Sequence, residues 1–248
     1  MKLRAAALGC LCVALCAVLG CELHGKPGPG PEVPNPDTVL DSQVLYSQNC
    51  AGCHGADGRK GAAPAIGDPV YLALASDDAM RSVISKGRPG TAMSAFAQKE
   101  GGMLTDAQVD SIIHGMRQRW SNSNAVSGVT LPPYAAKAAG DAQRGQAIYV
   151  KFCASCHGDG TSGGSKAGSV LAPAYLSLIT DQGLRTIVIT GRPDFNAPDW
   201  RNNIPGQPMT DQEITDVVAY LAAHRPAVAK MQNMASTPSA TGNSGGSQ

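Results

Sequence analysis

Large aromatic side chains are scarce in this chain: three Phe, two Trp and six Tyr make up 4% of its 248 residues. Aromatic rings normally supply much of a core's buried surface, so a chain this poor in them gains from a flat apolar cofactor. No stretch alternates apolar and polar residues in the manner of a half-buried strand, which argues against a sheet. Positive charge is not in excess either. With Lys2 and Arg4 set aside as part of a leader, 18 Lys and Arg face 19 Asp and Glu, and no basic patch argues for nucleic acid. There is no disulfide framework to be read from the eight cysteines. Cys10, Cys12 and Cys16 lie in the leader, Cys21 follows it, and the other four fall into two matching motifs.

Those motifs are Cys50-Ala51-Gly52-Cys53-His54 and Cys153-Ala154-Ser155-Cys156-His157. Two thiols three residues apart on one helical turn can add to the two vinyl groups of one haem, and the histidine that follows then lies against the iron as its proximal ligand. A redox C-x-x-C has no need of the histidine. A zinc site would need ligands gathered from pentapeptides 103 residues apart. The spacing therefore predicts two covalently bound haem c groups, one on Cys50 and Cys53 with His54, the other on Cys153 and Cys156 with His157.

Lys2 and Arg4 precede an apolar run from Ala5 to Leu19. It is too short for an ordinary membrane span and has the form of a secretory signal, residues 1–20. Its end, Val18-Leu19-Gly20-Cys21, resembles the lipobox of bacterial lipoproteins, which implies cleavage before Cys21 and acylation of that cysteine; plain secretion is the alternative, since Leu19 is a less usual choice at its position. Residues 21–37 are rich in Pro and Gly and read as an extended spacer. Residues 121–137 read as a second linker, and 226–248, dominated by small and polar residues, as a disordered tail.

Between these segments one unit occurs twice, at 38–120 and 138–225. Tyr46 and Tyr149 stand four residues before the first cysteine of each motif, and Gly55 and Gly158 follow each histidine. Gly87-Arg88-Pro89 matches Gly191-Arg192-Pro193, and Thr105-Asp106 matches Thr210-Asp211. First helices are expected over Asp41–Cys50 and Ala142–Cys153, and middle helices from caps at Ser76 and Thr180. Last helices begin with capping boxes, Thr105 with Gln108 and Thr210 with Glu213. Their stripes, Val109, Ile112, Ile113, Met116 and Ile214, Val217, Val218, Leu221, have helical spacing and read as core. The expected fold class is all-α, two small helical domains in tandem.

The order helix, C-x-x-C-H, Gly-rich loop, helix, Gly-Arg-Pro loop, capped helix resembles the class I cytochrome c fold, present twice as in diheme bacterial c-type cytochromes. The resemblance implies a methionine sulfur opposite each histidine, on the loop before the last helix. In the first copy, Gly87-Arg88-Pro89-Gly90-Thr91-Ala92-Met93-Ser94-Ala95-Phe96 makes Met93 that ligand, with Met103 the rival. In the second copy Ala197 stands where the methionine belongs, and alanine cannot ligate iron. Met209 then has two readings, as the sixth ligand or as an apolar staple at the entry of the last helix, where Leu104 stands in the first copy. An open haem, or ligation by His224, completes the alternatives; His114 and His224 otherwise read as surface residues. The resemblance also implies a proline carbonyl accepting from the proximal imidazole, with Pro64 and Pro173 as candidates. Arg88 and Arg192 are candidates to pair with haem propionates, or are exposed loop charges.

The function expected on this basis is electron transfer without bond-breaking chemistry, on the periplasmic side of a bacterial membrane, by a carrier lipid-anchored through Cys21. A quinol-oxidising complex or dehydrogenase would donate and an oxidase, reductase or reaction centre would accept, through small transient interfaces. Two alternatives are kept, a haem enzyme using an open second haem and a permanent subunit of a respiratory complex.

Overall fold

The computed structural model describes Gly30 and residues 33–227. The leader, Cys21 and the tail beyond Ala227 lie outside the described residues. The chain divides at Thr38. Up to that point the described structure is a 3-10 turn over Pro36–Thr38, in which Asp37 N donates to Asn35 Oδ1 at 3.0 Å.

From Val39 onward the unit is helical. The first copy holds α1 (Ser42–Asn49), α2 (Ala51–His54), α3 (Pro69–Leu74), α4 (Asp77–Lys86) and α5 (Asp106–Trp120). The second holds α6 (Ala142–Phe152), α7 (Ala154–His157), α8 (Pro173–Ser177), α9 (Asp181–Thr190) and α10 (Asp211–Ala223). The all-α expectation holds: among the described residues the only β contacts are isolated bridges, Ala97 with Leu104 and Arg192 with Ala197. No described helix is long and apolar enough to cross a membrane.

The helix starts follow from their caps. Asp41 accepts from Gln43 N and Val44 N to open α1, and Ser76 and Thr180 cap α4 and α9. Thr105 with Gln108 and Thr210 with Glu213 form complete capping boxes on α5 and α10, each satisfying two otherwise orphaned amides. The short helices α3 and α8 both start with a proline, at a position where a missing N–H costs nothing.

The apolar stripes of the last helices are buried as their spacing requires. Val109, Ile112, Ile113 and Met116 pack with Leu45, Tyr46, Leu72 and Met80 in one core. Ile214, Val217, Val218 and Leu221 pack with Tyr149, Phe152, Leu176, Leu184 and Trp200 in the other, and Val70 and Leu74 of α3 join this second core from the first copy. An arginine ties the end of each last helix to the turn before its middle helix. Arg117 donates to the carbonyls of Leu72 and Ala75 and pairs with Asp77, and Arg225 donates to the carbonyls of Leu176 and Ile179 and pairs with Asp181.

The segment between the copies is a docked strap. Tyr134 packs against both cores. The buried Arg185 of α9 donates to the carbonyls of Pro133 and Tyr134, and Gln182 donates to that of Tyr134.

Candidate functional site

Each motif is a single helical turn hung from the first helix. Cys50 N donates to Tyr46 O at 2.8 Å, His54 N to Cys50 O at 3.0 Å and Gly55 N to Ala51 O at 2.8 Å. Cys153, His157 and Gly158 repeat these bonds to Tyr149, Cys153 and Ala154 at 2.8, 3.0 and 2.8 Å. The turn is closed from behind by the tyrosine four residues upstream: Tyr46 Oη donates to Gly55 O at 2.9 Å, and Tyr149 Oη to Gly158 O at 2.6 Å. The repeated Tyr and Gly were visible in the sequence, but their bond to each other was not. The following loop folds back so tightly that a Cβ on Gly61 would stand 2.1 Å from Cys53 O, and one on Gly164 2.3 Å from Cys156 O. Only glycine fits there.

The four thiols are free. Burial, with the neighbouring Cys53 adding to it, pushes the Cys50 thiol up to about 11; burial and Cys156 push Cys153 up to about 12. A redox-active C-x-x-C lowers this value to expose a thiolate, so the environment opposes that use. Among the described residues no group of three or more His, Cys, Asp and Glu is placed to hold a metal ion.

Both imidazoles are held by one nitrogen. His54 Nδ1 lies 2.8 Å from Pro64 O, and His157 Nδ1 lies 2.8 Å from Gly168 O. With Nδ1 as donor, Nε2 keeps its lone pair for a metal. In the second copy this corrects the expectation for Pro173. That residue stands in the first turn of α8, as Pro69 does in α3, whereas Gly168, 11 residues after its histidine, matches the 10-residue spacing of Pro64. His54 is buried, and burial lowers its pKa; the bond to Pro64 acts the other way, and Arg192 adds to the lowering. A neutral imidazole is the ligating form.

The loop after the middle helix is built alike in both copies. Gly87 and Gly191, with φ of 66° in each, end α4 and α9 in a conformation that disfavours any side chain. Arg88 N then donates to Met93 O at 2.8 Å, and Arg192 N to Ala197 O at 3.0 Å. Ala197 thus occupies the place of Met93. Leu104 N donates to Phe96 O at 2.7 Å, and Met209 N to Trp200 O at 2.9 Å. Met209 thus occupies the place of Leu104; both are buried, at 3% and 4% exposure. Met93 is half-buried, Met103 is 74% exposed, and His114 and His224 are exposed. His224 Nδ1 lies 2.9 Å from Tyr220 O.

Both loop arginines are engaged with protein. Arg88 donates to Tyr134 Oη at 3.2 Å and reaches Thr180 Oγ1 of the second copy at 3.5 Å. Arg192 pairs with Asp194 and donates to Gly61 O of the first copy at 2.9 Å. The alternative of a merely exposed loop charge is thereby corrected for Arg192, whose side chain is 15% exposed. Sequence spacing carried no signal for the contacts between the copies, because they join residues 92 and 131 positions apart.

Comparison with known proteins agrees with the site. Residues 37–114 and 140–221 match the family described as Cytochrome C oxidase, cbb3-type, subunit III. The chain is similar to the Cbb3-type cytochrome c oxidase subunit CcoP of Azospirillum sp., 31% identical over 146 residues, covering 52% of this chain and 43% of the relative. It is also similar to subunit FixP of Bradyrhizobium diazoefficiens, 29% identical over 129 residues, covering 51% and 42%. The match spans less than half the length of either relative. Among solved structures, a chain of the Kuenenia stuttgartiensis reducing HAO-like protein complex aligns with 79% of this chain at 18% identity and a TM-score of 0.43. Paired thiols on one turn, an oriented imidazole beside them and a glycine cradle fit the cofactor of this family, so the protein is a c-type cytochrome with two covalently bound haem c. With both helical units matched, the chain belongs to the cytochrome c oxidase, cbb3-type, subunit III family.

Proposed function

We propose that the protein carries single electrons on the periplasmic side of a bacterial membrane, as a cytochrome subunit working with a cbb3-type oxidase. The observation that carries this reading is the pair of attachment turns, each with one imidazole nitrogen bound to a backbone carbonyl and the other left for iron. The names of the relatives support a complex subunit over a freely diffusing carrier. Haem iron supplies the chemistry, a reversible one-electron change between Fe(III) and Fe(II). Cys50 and Cys53, and Cys153 and Cys156, would hold the two groups covalently, with His54 and His157 on the iron. Met93 would supply the sixth ligand of the first. The core residues around Tyr46 and Tyr149 exclude water, and the carbonyls of Pro64 and Gly168 orient the imidazoles and raise their basicity.

Membrane attachment through an acylated Cys21 belongs to the same proposal. Each buried methylene adds about 0.8 kcal/mol, so Cys21→Ser is expected to move the protein from the membrane fraction to the soluble periplasm with its spectrum unchanged. The functional reading is tested by affinity isolation from detergent-solubilised membranes and by rapid mixing of the reduced protein with the isolated oxidase. Co-isolation with the oxidase and reoxidation within its turnover time are expected. A protein that leaves the oxidase behind and is not reoxidised by it defeats the reading.

A second reading rests on Ala197. The ligand place of the second copy holds a methyl group, and Met209 is buried where the first copy has Leu104, which supports its reading as a staple. The second haem would then lack a thioether and be open to a small ligand such as carbon monoxide, cyanide or peroxide.

A further inference from the structure

Two residues of the second copy grip the attachment loop of the first. Lys60 N donates to Asp194 Oδ2 at 2.7 Å, and Arg192 Nη2 donates to Gly61 O at 2.9 Å. The two side chains are themselves joined, Arg192 Nε to Asp194 Oδ1 at 3.0 Å and Nη2 to Oδ2 at 2.9 Å. Asp194 is 1% exposed in its side chain and Arg192 15%. Lys60 sits at φ 61°, a left-handed conformation that a lysine holds only where its surroundings impose it. The next residue, Gly61, is the one stacked on Cys53 O with no room for a Cβ. The peptide that is gripped is therefore the peptide pressed against the first motif. Arg88, the first-copy counterpart of Arg192, makes no matching grip, since its guanidinium goes to Tyr134 and Thr180.

We infer that Arg192 and Asp194, although they belong to the second haem domain, are positioning residues of the first haem: they clip its attachment loop from across the domain boundary and set the charge balance beside His54. The Arg192 guanidinium lies against Gly61 O, in the peptide pressed on Cys53 O, and Asp194 places the opposite charge 2.9 Å from it. A positive charge near an iron favours Fe(II) and raises its potential; a negative charge lowers it. Arg192 thereby couples the first haem's potential to the docking of the second domain. The inference rests on the two covalent haems and is independent of the redox partner.

The test is a spectroelectrochemical titration of the isolated full-length diheme protein. A Cys50→Ala, Cys53→Ala protein, which retains the second haem alone, assigns the two waves. Arg192→Gln leaves Asp194 unopposed and is expected to lower the first haem's potential, while Asp194→Asn leaves Arg192 unopposed and is expected to raise it. The first haem's shift is expected to exceed any shift of the second haem in both. A merely structural role would loosen the same contact in both variants and move the first haem in one direction. If Arg192→Gln does not accumulate, Asp194→Asn decides alone, by the upward shift together with faster deuterium exchange at the Lys60 amide. Shifts confined to the second haem, shifts of one sign in the two variants, or no shift each overturn the inference.

Discussion

Met93 and Ala197 hold one place in the two copies, and the difference between them is a single thioether. The backbone around them is alike, each carbonyl accepting from the arginine five residues upstream, so the difference in chemistry is confined to the side chain. Met93→Ala is expected to convert the first haem from low spin to high spin, with loss of the weak absorption near 695 nm that resemblance to His/Met cytochromes implies, seen by optical and electron paramagnetic resonance spectra. Met209 shows how position decides a residue's use. Buried at 3% exposure, with its amide bonded to Trp200 O, it holds the place at the entry of α10 that Leu104 holds at α5. Met209→Ala should cost about 2–5 kcal/mol in denaturant unfolding, the range for emptying a buried site of this size, and leave the haem spectrum as it was. A change to high spin on that substitution would make Met209 a ligand instead.

The elements owe their ends to side chains and their burial to spacing. Thr105 and Thr210 each accept from the amide three residues on and are answered by Gln108 and Glu213. Replacing either threonine with alanine is expected to cost about 1 kcal/mol, read as a lower thermal midpoint by circular dichroism with both haems retained. The entry of α6 depends on a contact that the first copy lacks. Asp216 of α10 accepts from Asp141 N at 2.8 Å, from Arg144 at 2.8 and 3.0 Å and from Gln212 at 2.9 Å, whereas the corresponding Ser111 donates to Leu40 O. The Arg144 guanidinium, aided by the Asp141 amide, holds the Asp216 carboxyl below the usual carboxylate range. Its folded value is depressed, so its contribution to stability is present above the unfolded value of about 4 and is lost as pH falls through the folded value. Asp216→Asn should lower the thermal midpoint at pH 7 and shrink the drop between pH 7 and acid below pH 4, measured as paired melts.

On the scale of the whole molecule, the two copies are coupled rather than strung together. α3 lends Val70 and Leu74 to the second core, the strap places Tyr134 against both cores, and the loop after each middle helix reaches the other copy. Covalent attachment is expected to add two haem masses to the mature polypeptide after denaturation, by intact-protein mass spectrometry. Cys153→Ala with Cys156→Ala should leave one. The cross-domain contacts predict in addition that losing the second haem lowers the thermal midpoint of the first domain, followed by its own haem absorption.

The helical turn of each C-x-x-C-H motif, the all-α class, the twofold repeat and the stripes of both last helices were legible before any coordinates, because each is a local pattern: a pentapeptide on one helical turn, a cap answered three residues later, an apolar row at helical spacing. Ala197 opposite Met93 was legible for the same reason, by register within a repeated loop. What spacing could not carry was the choice among groups brought together from afar. The carbonyl facing His157 proved to be Gly168 rather than Pro173 because Pro173 is the counterpart of Pro69, the proline that opens α3, and glycine stands where the first copy has Pro64. Arg192 reads as a member of its own domain along the chain, and its partner Gly61 lies 131 residues away. That contact exists because two domains dock, and docking depends on surfaces that no single stretch of residues contains.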